Sequence, residues 1–161
     1  LLKRPGSKST YSEKQLASAE AMFEQMTDDD KKLLIKNIIA GLPGAEEGYT
    51  LDQFRKQLKQ YEFVSTEDLR ENLILFLEEI IPAAEKFKVK MSIHPDDPPF
   101  NLFGIPRVVR TSKDLDLLFK RIPSLYNGLT YCTGSLGVRK ENNLKQIFDK
   151  FTDRIHFFLD L

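Results

Sequence analysis

From Lys88 onward, short apolar runs alternate with amphipathic segments, and this alternation constrains the fold more than any other feature. In chain order, strand and helix patterns alternate at 89–93, 112–121, 128–132, 142–151 and 154–158. The order strand, helix, strand, helix, strand predicts parallel βαβ units in an α/β protein. A closed barrel needs eight parallel strands and about 250 residues. The chain is therefore predicted to form part of a (β/α) TIM barrel with about three parallel strands.

The first half of the chain is predicted to be helical. Capping signals such as Ser12 with Gln15 open amphipathic segments, and helices are predicted at about 12–25, 27–40, 50–61 and 65–87. Leu42-Pro43-Gly44 is predicted to be a break, and Pro82 to kink the last of these helices. We therefore expect a helical insertion and a barrel helix over residues 1–87. Residues 88–161 are expected to form the βαβαβ part of the same barrel domain.

Composition narrows the class of protein. The 161 residues have 41% hydrophobic and 30% charged content, which is typical of one soluble globular domain. The 24 basic and 24 acidic residues give a net charge of zero, so we expect no nucleic-acid partner and no membrane-binding basic arm. No apolar run approaches the roughly 20 residues of a membrane span. The single cysteine excludes an internal disulfide and favours a reducing, cytoplasmic compartment.

His94 and Cys132 are the main candidates for chemistry, because each lies where a predicted strand gives way to a loop. The carboxyl ends of parallel strands meet at one edge of the sheet, where barrels build their active sites. An imidazole and a thiolate on neighbouring strand ends would form half of a transition-metal site. The alternatives stay open at this point: a hydrogen-bonded structural histidine, and a cysteine that merely fills the core.

The loops that follow these two residues carry further polar candidates. Asp96 and Asp97 fit a metal ligand, a partner of His94, a group that binds substrate hydroxyls, or an Asx turn. Arg107 and Arg139 fit a carboxylate substrate or solvated surface positions. The segment 133–137 is predicted to be a glycine-bearing loop that exposes backbone N–H groups.

His156 lies inside the last predicted strand, and we expect a structural role for it rather than a metal-binding one. No Ser/His/Asp order, His-Glu-x-x-His helix or Cys-x-x-Cys pair is present in the sequence, so triad hydrolases and zinc ribbons have no support.

Three strings together resemble the mannonate dehydratase family. They are His94-Pro95-Asp96-Asp97-Pro98-Pro99, Phe103-Gly104-Ile105-Pro106-Arg107 and Asn127-Gly128-Leu129-Thr130-Tyr131-Cys132-Thr133-Gly134-Ser135-Leu136-Gly137. Two more strings resemble that family's helical insertion: Leu2-Lys3-Arg4-Pro5-Gly6 and Asn37-Ile38-Ile39-Ala40-Gly41-Leu42-Pro43-Gly44. The resemblance extends over nearly the whole chain, to about Phe157.

The resemblance implies a metal-dependent, xylose-isomerase-like barrel that dehydrates D-mannonate, a sugar acid, to 2-dehydro-3-deoxy-D-gluconate during bacterial hexuronate breakdown. It implies Mn(II) or Fe(II) as the metal, and a homo-oligomer when the protein is full length. His94 and Cys132 match two of the family's metal ligands. Asp96 and Arg107 are the candidates for orienting substrate.

The sequence departs from the family pattern at its end. The family's next strand is similar to His-Phe-x-His-x-Arg, whereas this chain has Leu159 at the ligand position. Asn143 replaces the family's usual Asp beside a matching Asn142, which puts a helix-start hydrogen bond or a substrate contact in question. We expect a gene fragment with a shifted frame near residue 158, inactive by itself and prone to aggregate through exposed strand edges. The alternatives are a related metal-dependent sugar isomerase or epimerase, and a non-catalytic remnant.

Overall fold

The structure is a computed structural model that describes residues 6–9, 11–40, 50–102 and 104–160. The predicted break at 42–44 lies outside the described residues, as do Phe103 and most of the 2–6 string. The chain divides into two compact units, one of Leu1–Val64 with Leu102–Ile105 and one of Ser65–Asn101 with Pro106–Leu161. Within the described residues, no helix is both long and apolar enough to cross a membrane.

The described residues of the first unit form three helices, and the sequence predicted all three. They are α1 (Glu13–Gln25), α2 (Asp28–Ala40) and α3 (Leu51–Lys59). Ser12 and Thr50 each complete a capping box, in which the hydroxyl accepts a backbone N–H three residues ahead. Few side chains here are buried: none in α1, Ile39 in α2, and Phe54 and Leu58 in α3. These helices thus have capped starts and a small core in which Phe54 and Leu58 are buried.

The second unit contains the sheet and its helices. Its elements are α4 (Thr66–Phe87), β1 (Met91–Ile93), α5 (Ser112–Arg121), β2 (Asn127–Cys132), α6 (Thr133–Gly137), α7 (Leu144–Phe151) and β3 (Ile155–Leu159). A single 3-10 turn, Thr152–Arg154, joins α7 to β3. Helix α4 runs without interruption through Pro82 and ends where Lys88 adopts a left-handed conformation with φ of 56°.

The three strands form one parallel sheet in the order β1-β2-β3, which confirms the predicted βαβαβ arrangement. Met91 pairs with Asn127, and Cys132 pairs with Leu159. Between these pairs the register of β2 and β3 shifts, so that Leu129 lies opposite Ile155 while Thr130 lies opposite Phe157. His156 is therefore the extra residue of a β-bulge.

One face of the sheet is covered by helices. Leu129 and Tyr131 of β2 belong to a core cluster with side chains from α4, α5, α6 and α7, and Leu129 has 0% of its surface exposed. Because side chains alternate along a strand, the even-numbered residues of β2 point the other way. We call that second surface the open face; it carries Ser92, His94, Gly128, Thr130, Cys132, Phe157 and Leu159. A hydrogen bond of 2.9 Å between the Ser92 and Thr130 hydroxyls lies on it.

Two predictions about this unit were wrong. The segment 133–137 is not a loop but the helix α6, because Cys132 caps it and its own Leu136 is fully buried. The first strand is shorter than predicted and begins at Met91, where pairing with β2 begins.

Candidate metal centre

His94 follows β1 directly and is exposed. Its Nδ1 lies 2.7 Å from the carbonyl oxygen of Pro95. Because a carbonyl only accepts, Nδ1 is the donor in this hydrogen bond, and Nε2 takes no part in it. Metal-binding histidines are held in this way, with the second ring nitrogen fixed by a carbonyl or carboxylate. The histidine therefore presents a free nitrogen ligand at the end of β1.

Cys132 ends β2 and has 0% of its surface exposed. Its Sγ accepts hydrogen bonds from the backbone N–H and the hydroxyl of Ser135, at 3.4 and 3.2 Å. Burial fits the interpretation of a core cysteine, and two donors directed at one sulfur fix the position of that sulfur at the end of the strand. A single residue thus begins α6 and offers a soft ligand at the end of a strand.

The register places the two candidates near each other on the open face. The last pair of β1 and β2 is Ile93 with Leu129. Continuing that register by one residue would place His94 opposite Thr130, with Cys132 two residues further along β2. Strand spacing and rise then give a separation of roughly 8 Å between their Cα atoms. That distance suits two side chains that reach toward one ion from adjacent strands.

The donor set on this edge is incomplete. Among the residues that the structure describes, no group of three or more His, Cys, Asp and Glu side chains is placed to hold a metal ion. Leu159, which pairs directly with Cys132, presents an apolar side chain at the neighbouring position on β3. On this edge, the described residues therefore include one imidazole nitrogen and one sulfur as candidate donors.

Asp96 holds the loop that follows His94. Its Oδ2 accepts the backbone N–H groups of Val108 and Val109 at 2.8 and 2.7 Å, and its own N–H donates to the Val109 carbonyl at 2.8 Å. Its Oδ1 lies 3.7 Å from Nη1 of Arg107. The structure thus brings Asp96 and Arg107 together, and it gives Asp96 a part in loop structure that the sequence did not reveal. Asp97, by contrast, is exposed.

His156 makes a contact between two strands. Its Nδ1 donates to the carbonyl of Met91 at 2.9 Å, so its ring crosses β2 above Gly128 and connects β3 to β1. Its Nε2 is buried and has no hydrogen-bond partner among the described residues. The histidine lies one layer below the strand ends that carry His94 and Cys132.

The family model described as D-mannonate dehydratase (UxuA) matches residues 3–159 of the chain. The chain belongs to the mannonate dehydratase family. It is 51% identical over 157 residues to the mannonate dehydratase of Saccharophagus degradans (strain 2-40 / ATCC 43961 / DSM 17024), and 47% identical over 157 residues to that of Marinomonas sp. (strain MWYL1). Each alignment covers 98% of this chain and 40% of the relative, so the chain spans about two fifths of the length of these relatives.

The fold also resembles a solved mannonate dehydratase. The crystal structure of the enzyme from Streptococcus suis serotype 2 superposes with a TM-score of 0.61 at 36% sequence identity, covering 63% of this chain and 30% of that one. The mannonate dehydratase family is metal-dependent. A free imidazole nitrogen and a sulfur with two hydrogen-bond donors are chemically suited to such a metal.

Asn142 and Asn143 have separate functions that the sequence did not distinguish. Asn143 caps α7, where its Oδ1 accepts the N–H of Gln146 at 3.0 Å, so the helix-start hydrogen bond is kept although the family usually has Asp here. Asn142 donates from Nδ2 to the carbonyls of Leu136 and Arg110, at 2.8 Å each. An Asn before a helix signals a cap in sequence, but a contact to a carbonyl 32 residues away leaves no local signal.

Proposed function

We propose that this chain supplies part of the catalytic centre of a mannonate dehydratase, a hydro-lyase that converts D-mannonate to 2-dehydro-3-deoxy-D-gluconate and water. The observation that carries the proposal is the pair at the ends of β1 and β2. His94 keeps Nε2 free because Nδ1 is engaged, and Cys132 Sγ receives two hydrogen bonds. Family membership over residues 3–159 supports the reaction and its substrate class, a small sugar acid.

His94 and Cys132 are the residues that would hold the metal. Mixed nitrogen and sulfur donors, completed by oxygen, suit Fe(II) or Mn(II) in this family, and we propose one of these two ions. When bound, the ion would act as a Lewis acid on the carboxylate and hydroxyl oxygens of the sugar acid. Leu159 supplies no donor beside Cys132, so the remaining ligands would have to come from outside the described residues.

Asp96 and Arg107 are proposed to orient the substrate. The guanidinium of Arg107 lies 3.7 Å from Oδ1 of Asp96, and both side chains are partly exposed. Arginine recognises carboxylates through paired N–H donors, and Oδ1 of Asp96 is not used by the two backbone donors that Oδ2 binds. A sugar acid offers a carboxylate for the first group and hydroxyls for the second.

The location of the enzyme is proposed from its sulfur chemistry. A thiolate ligand survives best where thiols stay reduced, and the chain has one cysteine and therefore no internal disulfide. We propose a cytoplasmic enzyme, homo-oligomeric when full length, that binds neither nucleic acid nor membranes.

A chimera tests the proposed function. Residues 3–158 of this chain would replace the matching segment of the Saccharophagus degradans relative, which supplies the rest of the barrel and its own residue in place of Leu159. We expect D-mannonate to lose water, and we expect His94→Ala and Cys132→Ala to lower kcat at least about 100-fold, with loss of bound metal. Lys113→Ala, at an exposed position of α5, is the control and should keep most activity.

Three results would redirect the proposal. Normal metal content and turnover in the Cys132→Ala chimera would remove that residue from the metal site. A product that retains the elements of water would favour the sugar isomerase or epimerase. A folded chimera that binds no Mn(II) would favour the non-catalytic remnant.

A further inference from the structure

We propose that Asn142 is a positioning residue that joins α6, the helix capped by Cys132, to the loop that follows His94. The inference rests on the proposed function in one respect, that these two residues serve one metal site. The contacts of Asn142 are hydrogen bonds to backbone carbonyls and involve no metal ligand.

Asn142 bridges two segments with a single side-chain nitrogen. Nδ2 donates to the carbonyl of Leu136, in the last turn of α6, and to the carbonyl of Arg110, both at 2.8 Å. An amide nitrogen carries two hydrogens, so both bonds form at once. The last carbonyls of a helix have no partner inside the helix, and Asn142 satisfies one of them while reaching the other segment.

The hydrogen bond from Asn142 to Leu136 helps to fix the position of α6, and therefore of Cys132 at its start. Helix α6 has five residues, too few to be stable alone, so its position depends on what holds its ends. Sγ of Cys132 holds the start through Ser135, and Asn142 holds the end through Leu136. Release of the Asn142 contact should therefore loosen the helix that covers the Cys132 sulfur.

The second bond leads to His94. Arg110 follows Val109, which exchanges two hydrogen bonds with Asp96 at 2.7 and 2.8 Å. Asp96 lies two residues after His94 on the same loop. A continuous chain of hydrogen bonds and short backbone segments thus runs from Cys132 through Asn142 to His94. Arg139 adds a second connection, since its Nη1 donates to the carbonyl of Pro99 at 2.8 Å.

The chain's only cysteine reports on this arrangement directly. We would measure the rate at which iodoacetamide alkylates Cys132 in native buffer without metal. Asn142→Asp replaces the donor by an acceptor that faces two carbonyls, and we expect labelling at least about tenfold faster than in the original chain. Asn143→Asp is the matched control: aspartate also caps a helix, so its labelling rate should stay within about twofold of the original.

A second measurement tests the connection to His94. In Asn142→Asp, backbone amide exchange at Val108 and Val109 should speed up by a similar factor. Unchanged labelling of Cys132 would overturn the proposal, and faster labelling with unchanged exchange at Val108 and Val109 would overturn the connection to the His94 loop. Neither readout involves metal, so failure here is distinguishable from failure of the proposed function.

A milder pair of variants covers the case in which Asn142→Asp does not fold. Asn142→Ala removes both bonds without adding charge, and Asn143→Ala removes the cap of α7 while leaving those bonds in place. If Asn143→Ala accelerates labelling of Cys132 as much as Asn142→Ala does, the effect is general destabilisation and the proposal is wrong. Faster labelling only in Asn142→Ala supports it.

Discussion

The two faces of the sheet differ in what packs against them. On the covered face, Leu129 is fully buried and Tyr131 is 7% exposed, because α4, α5 and α7 pack against them. On the open face, Cys132 and Thr130 of the central strand are buried too, but the edges are not: Ser92 and His94 are exposed and Phe157 has 59% of its surface exposed. The helices thus build most of the core on one side of the sheet, and the candidate residues His94 and Cys132 lie on the other.

This difference separates stability from function within one three-stranded sheet. Successive side chains along a strand point to opposite faces, so neighbouring residues such as Tyr131 and Cys132 contribute to different surfaces of the sheet. Substitutions on the covered face should change the free energy of unfolding, whereas most on the open face should not. Exceptions on the open face are expected where a side chain is enclosed by its neighbours.

The largest change in the free energy of unfolding should come from a substitution on the covered face. Leu129→Ala removes a fully buried side chain, and large-to-small changes of this kind cost about 3 kcal/mol. Phe157→Ala on the open face should cost less than about 1 kcal/mol, because the ring is mostly exposed already. Urea unfolding of both variants measures the contrast. Similar losses in the two variants would mean that the faces are not distinct.

The next largest change in the free energy of unfolding should come from Gly128, which lies on the open face beneath the ring of His156. A Cβ on Gly128 would collide with the ring of His156 and with the carbonyl oxygen of Arg154. Gly128→Ala should therefore destabilise the protein by about 2 kcal/mol, as overpacking does. In Gly137→Ala the new Cβ meets only an ordinary contact, 3.5 Å from Leu144. That control should change the free energy of unfolding little; equal costs would contradict the placement of His156.

The smallest effect is a pH dependence on the covered face. Burial raises the pKa of Tyr131 above 10.0, and the charge of Asp149 adds to the shift. A raised pKa in the folded state gives stability that is complete below pH 10 and is lost as the pH rises through the folded value. Tyr131→Phe removes the hydrogen bond to the Leu144 carbonyl, which should cost about 1 kcal/mol near neutral pH.

Urea unfolding as a function of pH checks this prediction. Above pH 10, the original chain should lose part of its advantage over Tyr131→Phe. A difference between the two proteins that stays constant or grows with rising pH would show that Tyr131 does not titrate as its burial implies.

Sequence predicted those parts of the fold that depend on local patterns. The alternation of strands and helices, and the caps at Ser12, Thr50 and Ser65, can be recognised from neighbouring residues alone. Helix α6 was missed because two glycines in five residues have the composition of a loop, and only the burial of Leu136 and the cap from Cys132 explain it. These two contacts depend on the folded unit.

The candidate ligands could be proposed from the sequence, whereas the contacts that support them could not. His94 and Cys132 could be found from their positions at strand ends and from the family strings. Several supporting contacts join residues that are distant in sequence. They are the hydrogen bonds from Val108 and Val109 to Asp96, the bulge at His156, and the bond from Asn142 to Arg110. Such contacts follow from tertiary packing, which periodicity and capping signals do not encode.

The most direct test of the metal centre is a Co(II) titration of the chain, followed by absorbance in the near ultraviolet, where thiolate coordination to Co(II) gives a charge-transfer band. We expect a saturable band that disappears in Cys132→Ser and weakens in His94→Ala, while Lys113→Ala, at an exposed position of α5, leaves it unchanged. Leu159→His places an imidazole directly beside Cys132, and a further ligand there should tighten binding at least about tenfold. If the Leu159→His chain shows no thiolate band, or if His94→Ala leaves its band unchanged, His94 and Cys132 do not share a metal ion.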